Sequence, residues 1–319
     1  MNKLEKHKIE IYDESNALEK YKKALFDSVE KCVRGQKRIG IIFSGGVDSV
    51  MIAQIAKLLG ADITCYTSGF SDSPDVINSK RAAQYLGFEL RANELTDEKI
   101  EQELKNIIAS IESTDHLQVD VAIPVFFAAK LVEEDSIKVI LNGQGADELF
   151  AGYDWYPDVL KEKGGDFLND CLWNDLNNAY KETFEREEKI AKYHSLELRV
   201  PYVDPEVIKI AMSISEKLKI KNNEVKYIHR KLADDVGVPH FIAWRPKEAA
   251  QYGSNVHDKL IKILEKKKKE MPPQKLRQKI LPLKVEEKLG SVYRYSPEVY
   301  EDKDIQKILD FIGAEIGVY

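Results

Sequence analysis

Residues 39 to 49, Ile-Gly-Ile-Ile-Phe-Ser-Gly-Gly-Val-Asp-Ser, constrain the fold more than any other stretch. An apolar, β-branched run stops abruptly at a hydroxyl, two glycines and a carboxylate, the pattern of a buried strand emptying into an anion-binding turn. Beyond it Val50, Ile52, Ala53, Ile55, Ala56, Leu58 and Leu59 predict an apolar helix of about three turns that ends at Gly60. Strand, turn and helix together make a phosphate site. Paired glycines admit a ligand close to the backbone, and the free N–H groups of the turn and helix N-terminus offer donors to oxygen anions. An ordinary strand-to-helix turn in which Asp48 only caps the helix is the plainer alternative.

The remaining chain supports a sheet for that strand to join. Leu18, Tyr21, Leu25, Val29 and Cys32 recur at helical spacing ahead of it, over residues 15 to 34. Residues 63 to 67 read as a second strand broken by Ser68-Gly69-Phe70. Ser73-Pro74-Asp75 opens a helix running to about Leu86, and residues 88 to 92 offer a third strand. Ile100, Leu104, Ile107, Ile108 and Ile111 share one helical face, residues 119 to 132 form another helix, and residues 137 to 141 make a further strand that discharges into Asn142-Gly143-Gln144-Gly145-Ala146-Asp147-Glu148. Strands alternating with helices of this length predict an α/β fold: a parallel sheet with helices on both faces. Ligands of such sheets sit beyond the carboxyl ends of the strands, so the breaks after Phe43, Thr67 and Leu141 should converge on one crevice. From about residue 166 the pattern is mostly helical, with helices near 166 to 185, 205 to 213, 225 to 236 and 255 to 270. The Lys266 to Lys269 run reads as a solvated helix end, and Pro272-Pro273 stops it.

Composition removes several function classes. A chain of 319 residues with 43% hydrophobic content can bury a core of one large or two unequal domains. No apolar run approaches the ~20 residues that span a bilayer, and the opening MNKLEKHKIEIYDE lacks the apolar core of a signal peptide, so the cytoplasm is the expected compartment and no membrane partner is expected. Cys32, Cys65 and Cys171 form no CxxC, which argues against a disulfide framework, a thiolate zinc site and sulfur-transfer chemistry. A net charge of -6 with no basic and aromatic stripe makes a nucleic-acid partner a weak expectation.

Five stretches then point to a family. SGGVDS at 44 to 49 resembles the PP-loop of the ATP pyrophosphatases and lacks the GK[ST] ending of a Walker A loop. With SPD at 73 to 75, NGQGADELFAGY at 142 to 153, LELRVPYVD at 196 to 204 and WRPKE at 244 to 248, the chain resembles the synthetase domain of asparagine synthetase and its relative β-lactam synthetase. The match runs from about residue 36 to residue 256, after a helical lead-in over 1 to 35 and before a helical extension over 257 to 319. The separate glutamine-hydrolysing domain that many relatives carry is not expected, since little sequence precedes the first strand and no cysteine stands at position 2.

The resemblance implies a reaction and its residues. A carboxylate attacks the α-phosphate of ATP to give an acyl-adenylate and pyrophosphate, and ammonia or an amine then displaces AMP to leave an amide. Ser44, Gly45, Gly46 and Ser49 would bind the β and γ phosphates, with Lys226 a possible further phosphate ligand. Ser68, Gly69, Asn142 and Gly143 would line the adenosine. Asp48 and Asp147 would hold Mg2+, since two carboxylates brought together by separate loops need a cation between them or a raised pKa. Lys247 would reach the α-phosphate and later the oxyanion. Arg199 and Asp204 are expected to form a structural ion pair.

Two departures bear on the substrate. Where asparagine synthetases carry a glutamate suited to taking a proton from the amine, Gln144 stands and cannot act as a base. The segment resembling their aspartate pocket keeps Asp115 but puts Asp120 where an arginine would face the substrate. The leading expectation is therefore an amide-forming ligase acting on a carboxylate other than aspartate. True asparagine synthesis from ammonia or with a separate glutaminase subunit, a non-catalytic ATP-binding regulatory protein, and a PP-loop tRNA-modifying enzyme are the alternatives. The oligomeric state is left open.

Overall fold

The structure, a computed structural model, describes residues 6–246, 250–270 and 303–318. Helix α1 (Glu14–Val33), capped by the Asp13 carboxylate, leads into β1 (Ile39–Ile42), α2 (Val47–Leu58), β2 (Ile63–Gly69), α3 (Pro74–Leu86) and β3 (Glu89–Glu94). Then follow α4 (Asp97–Ile111), α5 (His116–Glu134), β4 (Val139–Leu141), α6 (Ala146–Phe150), α7 (Tyr156–Lys163) and α8 (Gly165–Ala179). A π-turn over Tyr180–Phe184 passes into α9 (Glu185–Tyr193), and β5 (Glu197–Arg199) closes the sheet. The later helices are α10 (Pro205–Ser213), α11 (Glu216–Lys219), α12 (Tyr227–Asp235), α13 (His240–Ala243), α14 (Ala250–Gly253), α15 (Val256–Glu270) and α16 (Lys303–Glu315).

The five strands lie in the order β3-β2-β1-β4-β5 and all pair in parallel. The expected α/β architecture is thus present, with a mostly helical C-terminal part. Strand β1 has β2 on one side and β4 on the other, so connections leave it in opposite directions and a crevice opens beyond its carboxyl end.

Alternation along the strands assigns the two faces. Ile39, Ile41, Cys65, Val139 and Leu141 belong to a cluster with α1, α2, α6, α8, α10 and α12. Tyr66 and Ile140 belong to a second cluster with α4, α5, α9, α15 and α16. Ile100, Leu104, Ile107, Ile108 and Ile111 of α4 all lie in the latter, as their spacing predicts.

Local chemistry explains the element ends. Ser73 caps α3 through a bond from Val76 N, Pro74 occupies its first position, and Gly87 at φ +65° terminates it. The structure corrects three sequence expectations. Strand β2 continues through Ser68 and Gly69, because both pair with Asn93 and Glu94 of β3. The helix expected over 166 to 185 is divided between α8 and α9 by the π-turn. Arg199 and Asp204 do not pair with each other: Arg199 bonds Glu197 at 2.8 Å and the Cys32 carbonyl at 2.6 Å, while Asp204 caps α10 and pairs with Lys31 at 2.9 Å. The stop at Pro272-Pro273 lies outside the described residues. Among the described residues no helix is long and apolar enough to cross a membrane, and Cys32, Cys65 and Cys171 are free thiols.

Candidate functional site

The turn after β1 is tight for a specific reason. Gly45 has φ +70°, and a Cβ there would stand 2.5 Å from Ser79 N and 2.6 Å from the Asn78 carbonyl carbon, so only glycine fits. Ser79 in turn donates to the Phe43 carbonyl at 2.9 Å, fastening α3 to the end of β1. Ser44 Oγ accepts from Gly46 N at 3.3 Å and lies 3.4 Å from Ser49 Oγ, and Ser49 donates to the Gly46 carbonyl at 3.2 Å. Gly46 caps α2 with no side chain over its N–H groups. Four of the expected phosphate residues thus share one turn at a helix N-terminus.

The carboxylates of Asp48 and Asp147 also meet. Lys226 Nζ lies 2.8 and 2.7 Å from the two oxygens of Asp48 and 2.8 Å from Asp147 Oδ1. The cation between the acids is therefore an ammonium, only 2% exposed, delivered by the left-handed residue (φ +57°) that precedes α12. Space is closed around it: a Cβ on Gly152 would come within 2.1 Å of Asp147 Oδ1 and 2.2 Å of Lys226 Cε. His229, three residues after Lys226 and fully buried, places Nε2 2.9 Å from Asp48 Oδ1 and Nδ1 2.8 Å from the hydroxyl of Tyr21. Tyr202 donates to the Asp48 carbonyl at 3.0 Å.

Burial alone would raise the Asp48 carboxyl, but the Lys226 ammonium and the His229 hydrogen bond outweigh it and hold the group well below the usual carboxylate range. Burial likewise disfavours the Lys226 ammonium, and Asp147 and Asp48 outweigh it, so its pKa is raised. His229 is held below its ordinary value by burial, which its bond to Asp48 only partly offsets.

The loop after β4 closes the crevice from the other side. Gly143 abuts the α2 backbone, with 2.9 Å between a would-be Cβ and Ser49 N. Asn142 Nδ2 donates to Glu187 Oε2 at 2.5 Å, and Gln144 Nε2 donates to Glu187 Oε1. Glu187, from α9, is buried, and desolvation pushes its carboxyl above the ordinary range although Arg186 Nη2 lies 3.5 Å away. A carboxylate thus stands beside Gln144 after all, supplied by another element. Ser68 is buried at the end of β2, and Gly69 packs on Ser73 Oγ and the Ser254 carbonyl. Arg245 of the WRPKE stretch reaches toward Gly46 and lies 4.0 Å from Asp75, whereas Lys247 lies outside the described residues.

The two expected substrate residues lie on α5. Asp115 is its N-cap, accepting from Gln118 N at 2.9 Å. Asp120 is fully buried and bonded to His257 Nδ1 at 2.5 Å. Sequence reasoning passed over His229, Tyr21, Tyr202, Glu187, His116 and His257. The spacing Lys226, His229 was a visible signal for the first; Glu187 carried none.

Comparison with known proteins decides the family. The family model described as asparagine synthase matches residues 20–164 and 160–289. The chain belongs to the asparagine synthase family. A Methanocaldococcus jannaschii protein named "Putative asparagine synthetase (glutamine-hydrolyzing) 1" is 35% identical over 275 residues, covering 76% of this chain and 51% of that one. The human and chicken glutamine-hydrolyzing asparagine synthetases are 28% and 29% identical, over 75% and 72% of this chain and 44% and 42% of theirs. The chain therefore spans about half the length of the curated relatives it matches.

Proposed function

We propose that the protein is an ATP-dependent, AMP-forming ligase that makes an amide from a small carboxylic acid and ammonia or an amine. A substrate carboxylate oxygen bonds to the α-phosphorus as the bond to the pyrophosphate oxygen breaks. The nitrogen nucleophile then bonds to the acyl carbon, AMP leaves, and one proton passes to a base. The observation that carries this reading is the junction of Asp48, Lys226 and Asp147 beside the glycine turn, at the point where the sheet connections diverge. Fixed donors and a fixed ammonium suit charge that builds on phosphate oxygens.

Asp48 and Asp147 offer oxygen donors from two elements, the kind magnesium selects, and the lone pairs that Lys226 leaves unused are the ones open to it. These residues would hold it, and when bound it supplies neutralisation of the phosphate charge. Ser44, Gly45, Gly46 and Ser49 bind the β and γ phosphates with Lys226, and Ser68, Gly69 and Gly143 border the adenosine. Lys247 is assigned the α-phosphate on the strength of its WRPKE motif. Glu187 takes the part that Gln144 cannot: buried, with its affinity for a proton raised, it receives the proton of the attacking amine. An arginine that would draw in free aspartate is absent from this segment, and Asp120 in its place is buried against His257, so the acceptor is a carboxylic acid other than free aspartate. Acid-dependent exchange of radiolabelled pyrophosphate into ATP tests the first half-reaction. Exchange with at least one acid is expected, and its absence across a broad panel of acids with magnesium present would falsify the proposal.

A further inference from the structure

On the opposite face of the sheet from the Asp48 junction, α5 and α15 bring three metal-ligating side chains together. His116 and Asp120 are four residues apart and share one side of α5, and His257 is the second residue of α15. One ligand atom from each of the three lies within 4.8 Å of the other two, and all three residues are buried. Besides its 2.5 Å bond to Asp120 Oδ2, the His257 ring stacks on that of His116, with centroids 5.8 Å apart and planes 20° off parallel. Asp120 Oδ1, fully enclosed, meets no hydrogen-bond partner among the described residues. Taking a carboxylate out of water is costly unless its lone pairs are engaged, and here one oxygen has no partner among the described residues.

We propose that His116, Asp120 and His257 form a binding site for a transition-metal dication of the zinc class, which fastens α15 to α5. Two imidazoles and one carboxylate are the donors such ions select, whereas magnesium and calcium select oxygens. The site is separate from the acidic pair of the crevice and independent of the proposed reaction. It is also close to the rim: the Ser254 carbonyl, three residues before His257, accepts from Phe70 N at 3.1 Å just beyond β2. The metal would therefore steady the segment that flanks the crevice. A plain buried His–Asp pair with a stacked imidazole is the rival arrangement, and it binds no metal.

The test uses the whole chain after dialysis against a chelator, in excess magnesium, titrated with zinc against a chromophoric competitor. One equivalent should bind below micromolar concentration, and Asp120→Asn or His257→Ala should weaken binding by about 100-fold, while Asp48→Asn leaves it unchanged. Cobalt(II) added to the wild-type chain should give the visible bands of a low-coordinate nitrogen and oxygen site, so the proposal is judged even where a variant fails to fold. No stoichiometric zinc in the wild-type chain, or zinc binding equal in all three variants, overturns it.

Discussion

Two groups of buried charges, one on each face of the sheet, settle their electrostatics differently. Around Asp48 each charge meets an opposite partner within 3 Å: Lys226 binds both Asp48 and Asp147, and His229 joins Tyr21 to Asp48. Around Asp120 one carboxylate oxygen bonds an imidazole and the other has no partner among the described residues. The first group is neutralised from within the chain, at the cost of a lysine held in a left-handed conformation. The second leaves Asp120 Oδ1 without a partner among the described residues, beside two imidazoles, which is why it supports an added ion.

The comparison breaks first at Lys226. Lys226→Met should leave Asp48 and Asp147 facing each other without a cation, lowering stability by about 4 kcal/mol at pH 7 and abolishing pyrophosphate exchange. Urea unfolding should show the loss easing as pH falls, since the released carboxyls then take up protons. In the wild-type chain the sign is the reverse: the lowered Asp48 pKa contributes stability that is complete above about pH 4 and lost as pH falls below it.

Lys219 shows what happens when no carboxylate among the described residues bonds a buried ammonium. It is fully buried against Met212, with Nζ 3.9 Å from the thioether sulfur, and burial lowers its pKa to about 7. The unfolded chain binds the proton more tightly, so stability should rise with pH between about 7 and 10. Lys219→Met should add about 3 kcal/mol at pH 6, an advantage that shrinks toward pH 10. A gain independent of pH in paired unfolding curves would show that the ammonium is solvated.

Glu187→Gln separates the two half-reactions. Pyrophosphate exchange should stay within about threefold of wild type while amide formation drops about 100-fold. An equal loss of both would reduce Glu187 to a support for the β4 loop. The smallest effect belongs to Tyr21→Phe, which removes the hydroxyl bonded to His229 and should cost about 1 kcal/mol of stability in thermal unfolding, with exchange little changed.

How much of this was legible depends on the range over which each signal acts. SGGVDS announced its own strand, turn and helix, because those elements are specified by neighbouring residues. The apolar faces of α1 and α4 were likewise visible as periodicity. The parallel sheet led to the expectation that the loops after β1 and β4 converge, and the family resemblance to that of Asp48 meeting Asp147, but the ammonium between them was not expected, since nothing local to Lys226 says where α12 docks. Glu187 and His257 were invisible for the same reason: each arrives from a helix far along the chain at a loop or helix that gives no hint of its partner. The expected pairing of Arg199 with Asp204 shows the opposite error, in which nearness in sequence suggested a contact that the turn between β5 and α10 directs elsewhere.

Tyr21 and His229 are separated by 208 positions yet share a hydrogen bond. On the ribosome, the first helix would leave the exit tunnel long before its partner was translated. Until α12 emerged, Asp48 would be solvated, without its lysine or imidazole, so ATP should have little hold on a nascent chain ending before that point. Completion of this centre is therefore a late event in the protein's birth, whatever order its flanking strands condense in.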